Sequence, residues 1–266
     1  GGAQSLVNNG RISADVSGGT LHLTPSSGTV NNGTIEARNG GTLFLDTNVT
    51  GNAGSHLDAG TGSAIVQNGV TLSGIINTSG SGSFRATNNN SNVLSGVTFN
   101  GNLDLASGTS IERVSGGLTL NGNIAVNNNS VLSFAGTQTL GGTGTIVLGD
   151  TGSSNRALGM EGDTTLTVGA NIVVRGQNGT IGQPYLSGGN QVLANNGIIR
   201  ADVAGGLIDL SAGLTNNNGT LGAANGGTLR LNGAVSQTGT GQIFANDASA
   251  VVQNGVTVTG GTIASA

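Results

Sequence analysis

The sequence predicts an all-β chain wound into a parallel β-helix, a solenoid of about 22 residues per coil and about 12 coils. Three observations predict it. Short apolar-x-apolar runs recur at a near-constant interval, and clusters of Gly, Asn and Ser separate them. A long stretch also occurs twice: residues 6–76 return as 193–262, shifted by 187 positions at the start and by 186 after one deletion.

The short period reads Ile12-Ser13-Ala14, Gly18-Gly19, Leu21-His22-Leu23, and then Ile35-Glu36-Ala37, Gly40-Gly41, Leu43-Phe44-Leu45. The second copy gives Ile199-Arg200-Ala201, Gly205-Gly206, Ile208-Asp209-Leu210, and then Leu221-Gly222-Ala223, Gly226-Gly227, Leu229-Arg230-Leu231. Looser versions begin at Leu57, Phe84, Ile111 and Ile243. The motif thus starts at 12, 35 and 57, and again at 199, 221 and 243, a nearly constant step. Steps of 27 from 57 to 84 and from 84 to 111 predict short corner insertions.

Each apolar-x-apolar run has period 2, so alternate side chains face opposite sides of a strand. No window carries the spacing of an amphipathic helix. A β-sandwich is the alternative, but it needs hairpin turns and predicts no constant rung. Comparing the two copies sorts inward from outward positions. Leu21, Leu43 and Leu45 stay apolar as Ile208, Leu229 and Leu231, whereas His22 becomes Asp209 and Phe44 becomes Arg230. Buried positions thus alternate with solvated ones. The expected organisation is one solenoid over 1–266, holding a long unit at 6–192 and a partial second copy at 193–266, a piece of a longer array.

Composition supports a folded chain. There are 51 Gly and only 8% charged residues, but the 35% hydrophobic residues fall at regular inward positions. The absence of Cys rules out disulfides and thiolate metal sites. All eight basic residues are Arg and the net charge is −4, which argues against a nucleic-acid partner. Apolar runs such as Ile146-Val147-Leu148 are too short to span a membrane. The chain starts in mid-pattern at Gly1-Gly2 without a signal peptide, and a leader would lie upstream.

The runs Asn31-Asn32-Gly33-Thr34-Ile35-Glu36-Ala37 and Gly40-Gly41-Thr42-Leu43-Phe44-Leu45 resemble repeats of large bacterial secreted or surface proteins. These are β-strand-repeat exoproteins, similar to autotransporter passengers and filamentous-haemagglutinin-type adhesins. The resemblance implies a right-handed β-helix, an extracellular or bacterial cell-surface location, and a role in adhesion, cell–cell contact or biofilm-matrix assembly. It carries over no functional residues.

The residues with the clearest role are structural corners: Asn8, Asn9 and Gly10; Asn31, Asn32 and Gly33; Asn195, Asn196 and Gly197; Asn217, Asn218 and Gly219. Asn and Gly tolerate left-handed backbone, and stacked Asn side chains form hydrogen-bonded ladders. Asp150, Arg156, Glu161 and Asp163 lie in the irregular segment 149–163, a candidate catalytic loop or a plain surface insertion. Asp15 and Asp202 are kept between the copies and are expected outside, beside Arg11 and Arg200, as exposed ion pairs. Glu36, Asp58 and Asp46 become Gly222, Phe244 and Asn232, changes that a catalytic set repeated in each unit would not survive. His22 and His56 are expected outside and unpaired with each other, giving no metal site. The glycine runs 141–144 and 239–241 lack the Gly-Lys-Ser/Thr of a phosphate loop and read as corners.

A non-enzymatic rod with no cofactor is therefore expected. Its expected partners are its own copies end to end, together with surface glycans or cell receptors. Two rival classes remain. One is carbohydrate binding or cleavage, with Phe44, Phe84, Phe99, Phe134, Tyr185 and Phe244 as the scarce aromatic platforms. The other is ice binding through Thr137-Gln138-Thr139, Thr143-Gly144-Thr145 and Thr257-Val258-Thr259.

Overall fold

Period-2 runs divided by tight corners leave each turn three short strands, and so the rod has three faces. The computed structural model describes residues 2–149, 157–246 and 248–265. Its first turn consists of Leu6–Asn8, Arg11–Ala14 and Thr20–Leu23, after which Thr29–Asn31 starts the next. Each strand pairs in parallel with its counterpart one turn on: Leu6 with Thr29, Ile12 with Ile35, Leu21 with Leu43. The third face is a continuous 12-stranded sheet. The first and second join into a 22-stranded sheet because Val93–Asn100 and Ile111–Leu120 each run round the corner unbroken.

The result is a parallel β-solenoid of about 11 turns, about 22 residues apart, with no helix among the described residues. At roughly 4.8 Å per turn the rod is about 50 Å long. Stacked inward files make its core. On the third face Leu43, Ile65, Phe84, Leu103, Ile124, Ile146, Val174, Ile199 and Leu221 lie one above another, all shielded from solvent. No single turn could bury its face alone, so neighbouring turns hold each other folded.

The expected corner insertions are corrected. Leu57, Phe84 and Ile111 sit on the second, third and first faces, so a step of 27 is a turn plus a face. Turns there are in fact shorter than the mean, since Ile65, Phe84 and Leu103 are successive register partners. The tight turns are filled by Phe84 and Phe99, packed edge to face at 5.6 Å. Longer turns come later, where Ile146, Val174 and Ile199 are the successive partners.

The copied sequence does not return to its own face. Eight turns above Leu6–Asn8 on the first face lies Asn178–Pro184. The copy of Leu6–Asn8 falls in the next strand, Gln191–Asn195, on the second face. Likewise Arg11–Ala14 moves from the second face to Ile198–Ala201 on the third, and Thr20–Leu23 from the third to Leu207–Leu210 on the first. The long unit thus advances eight turns and one face.

Candidate functional site

The Asn-Asn-Gly corners build two parallel ladders. The first Asn of each is buried and the second exposed. Inside, Asn8 Nδ2 donates to Asn31 Oδ1 at 2.7 Å, and Asn31 Nδ2 to the His56 carbonyl at 3.0 Å. In the second copy Asn195 Nδ2 donates to Asn217 Oδ1 at 2.8 Å, and Asn217 continues to Gln237 Oε1 at 3.3 Å. Outside, Asn32 Nδ2 donates to Asn9 at 2.8 Å, Asn52 Nδ2 to Asn32 at 2.6 Å, and Asn218 Nδ2 to Asn196 at 3.4 Å.

Left-handed backbone is not the reason for glycine at these corners. Gly10, Gly33, Gly197 and Gly219 all lie outside the positive-φ set, which at other corners includes Asn39, Asn128 and Asn225. A Cβ on Gly33 would collide with the Gly10 carbonyl one turn below, and a Cβ on Gly219 with that of Gly197. Close stacking of backbone on backbone demands the missing side chain. A further ladder, Asp58–Asn77–Asn100–Asn121, escapes the sequence reading. Its only signal is the return of Asn at 77, 100 and 121.

Glu36, Asp104, Glu161, Asp202 and Asp209 are held by arginines from other turns. Glu36 has no exposed surface; Arg11 Nε and Arg38 Nε both donate to it, and Ser13 Oγ does so at 3.0 Å. Burial alone would raise its pKa, but hydrogen bonds from Arg38, Ser13 and Arg11 hold it below the usual carboxylate range. Such a group is a poor general acid. Arg11 therefore serves Glu36 and not Asp15, which is exposed. Four residues along a strand span about 13 Å, whereas the next turn is only about 4.8 Å away.

Asp202 keeps the expected partner Arg200, whose Nε donates to Oδ2 at 2.9 Å, but it is not exposed: its side chain is 2% exposed, and the same oxygen also accepts from Arg175 Nε at 2.6 Å. Arg175 and Arg200 are register partners on successive turns of the third face.

Of the irregular segment, Asp150 and Arg156 lie outside the described residues. Glu161 is mostly buried and forms a two-pronged pair with Arg113 (Nε 2.8 Å, Nη2 2.5 Å), and Asp163 accepts from the Asn190 backbone N–H at 2.8 Å. Alongside, Tyr185 covers Gly159 and its hydroxyl donates to Asn90 Oδ1 at 2.5 Å, 95 positions away in sequence. His22 is on the third face and pairs with Asp46 at 2.6 Å, while His56 is half-buried on the second, 3.4 Å from Asn77. Phe84, Phe99 and Phe134 belong to the core and cannot serve as sugar platforms, whereas Phe44 and Phe244 face outward. The threonines form no continuous file, since Thr139 is followed by Thr167 and then Ala194 on the second face, and Thr145 lies between Asn123 and Val173 on the third.

No family model, curated protein or solved structure matches this chain, so the site is read from its own geometry.

Proposed function

We propose that this chain is a non-enzymatic structural segment of an extracellular bacterial fibre or adhesin, of the kind built from β-strand repeats. The observation that carries the reading is the unbroken stack of about 11 parallel turns over one core. Such a stack is a stiff rod whose length grows in proportion to the number of turns. The arrangement of charge supports a scaffold: Glu36, Glu161, Asp202 and Asp209 are each engaged by an arginine of another turn and so serve cohesion between turns.

Display of the chain on inert beads tests both halves of the proposal. Beads carrying it should adhere to bacterial or host cells more strongly than bare beads, and should release no reducing ends from a polysaccharide panel. Adhesion equal to that of bare beads would refute the adhesive role. Release of reducing ends would make the chain an enzyme.

A further inference from the structure

On the third face, Arg175 and Arg200 point both of their Nε atoms at a single oxygen, Asp202 Oδ2, at 2.6 and 2.9 Å. The second oxygen, Oδ1, is buried and has no hydrogen-bond partner among the described residues. Glu36 also meets two arginines, but Arg11 and Arg38 each take a separate oxygen of it. Arg113 faces Glu161, and Arg230 faces Asp209, one to one through Nε and a terminal nitrogen. The Arg175/Arg200 pair instead converges on one oxygen of one carboxylate, two positive charges against a single acceptor atom. Among the described residues no other acceptor takes a hydrogen bond from either, and the two side chains are 40% and 37% exposed. Like charges on facing register positions repel unless an anion lies between them.

The neighbouring turns extend this spot into a strip. Outward from Arg200 the register runs to Gly222 and then to Phe244, whose ring lies over Gly222 where a Cβ would collide with it. Thr220 and Gln242 flank these positions on the same strands, adding a hydroxyl and an amide. On the other side Arg175 adjoins Val147, and Ala125 follows on the next turn. The strip therefore combines paired guanidinium forks, which suit carboxylate or sulfate geometry, with an aromatic face and neutral hydrogen-bonding groups.

We propose that this strip binds an acidic polysaccharide, with Arg175 and Arg200 clamping a carboxylate or sulfate group and Phe244 supporting the adjoining sugar ring. The inference deepens the adhesion reading and rests on it only for where such a glycan is met. Titration of the isolated chain with a heparin octasaccharide and an oligogalacturonate, against a neutral malto-oligosaccharide, tests it by calorimetry.

At least one acidic glycan should bind, more weakly as salt rises. R175Q/R200Q should lose about tenfold or more in affinity, and F244A about threefold. R230Q should bind as the parent does. R175K/R200K, which keeps the charge but loses the fork, should also weaken binding; circular dichroism establishes that each variant is folded. Three results would overturn the proposal: no acidic glycan binds, R175Q/R200Q binds unchanged, or single-stranded DNA binds as tightly as the glycan, which would reduce the strip to a non-specific anion exchanger. If beads fail to adhere but the isolated chain binds glycan, the adhesive role falls and the clamp stands.

Discussion

His22 Nδ1 lies 2.6 Å from Asp46 Oδ2 across one turn, and the His22 ring stacks on Phe44 at 4.7 Å. In the second copy these positions hold Asp209, Asn232 and Arg230. Asp209 there accepts from Asn232 Nδ2 at 3.0 Å and from Arg230 Nε at 2.6 Å. The carboxylate has changed places while the contact persists, so the position across the rung matters more than the residue type. Because His22 is exposed, His22→Ala should lower stability by less than about 1 kcal/mol. Denaturant melts compare the two proteins, and a larger loss would mean the pair is more than a surface contact.

The inner Asn ladder should matter more than the outer one. Asn217 is buried, accepts from Asn195, and donates to Gln237 Oε1 and the Gln242 carbonyl. Asn217→Ala strands these groups and should cost about 1–3 kcal/mol. Asn218→Ala, at the exposed neighbour, should stay within about 0.5 kcal/mol. Equal losses in urea unfolding would contradict the division into inner and outer ladders.

Glycine at the corners is required by stacking. Gly219→Ala should destabilise by about 1–3 kcal/mol, since its Cβ meets the Gly197 carbonyl. Gly10 has open space around its Cβ direction, so Gly10→Ala should be neutral within about 0.5 kcal/mol. Thermal melts that rank the two the other way would reject close approach as the cause.

Glu112 gives the rod a pH dependence. It points inward, between turns, with Leu132 as its register partner, and neither carboxylate oxygen has a partner among the described residues. The adjacent Arg113 N–H is already spent on the Asn92 carbonyl at 3.1 Å. Burial pushes the Glu112 pKa well above the usual value of 4.5, so the folded chain holds its proton to a higher pH than the unfolded chain does. Its folded pKa exceeds its unfolded one, so this stability is complete below pH 4.5 and declines as pH rises above it. The parent chain should therefore lose stability relative to Glu112→Gln by up to about 1.4 kcal/mol per pH unit over that window. Parallel pH curves for the two would show Glu112 to be ionised or solvated in the fold.

End-to-end association should occur in the isolated polypeptide. Leu6–Asn8 pairs only with Thr29–Asn31, and Thr262–Ser265 only with Gln242–Ala245, so among the described residues each has one open edge. Ile263 is 69% exposed beside the second of these. Such edges invite strand addition. Light scattering should show mass rising with concentration, and Ile263→Lys should suppress it; a monomer at every concentration would refute the expectation.

Much of the fold is legible because the solenoid signals itself locally. Leu43-Phe44-Leu45 and its copy Leu229-Arg230-Leu231 disclose inside and outside through the alternation of a strand. Arg200–Asp202, two positions apart, is legible, but the ionic contacts between turns are illegible for the opposite reason. Sequence proximity sets Arg11 against Asp15, four positions on, but Arg11 meets Glu36 on the next turn. Tyr185 and Asn90 give no sign of meeting, because several turns of variable length lie between them.

The residues alone determined a β-chain, a step near 22 and a file of aliphatic side chains for the interior. These follow from local alternation and from corner residues that each turn carries within itself. Only the stacked rod decided which face a copied strand occupies and that Arg175 joins Arg200 on Asp202. Both depend on the summed lengths of all intervening turns. Those lengths vary on the third face from the short turn between Ile65 and Phe84 to the long one between Ile146 and Val174, and no single stretch of sequence contains that sum.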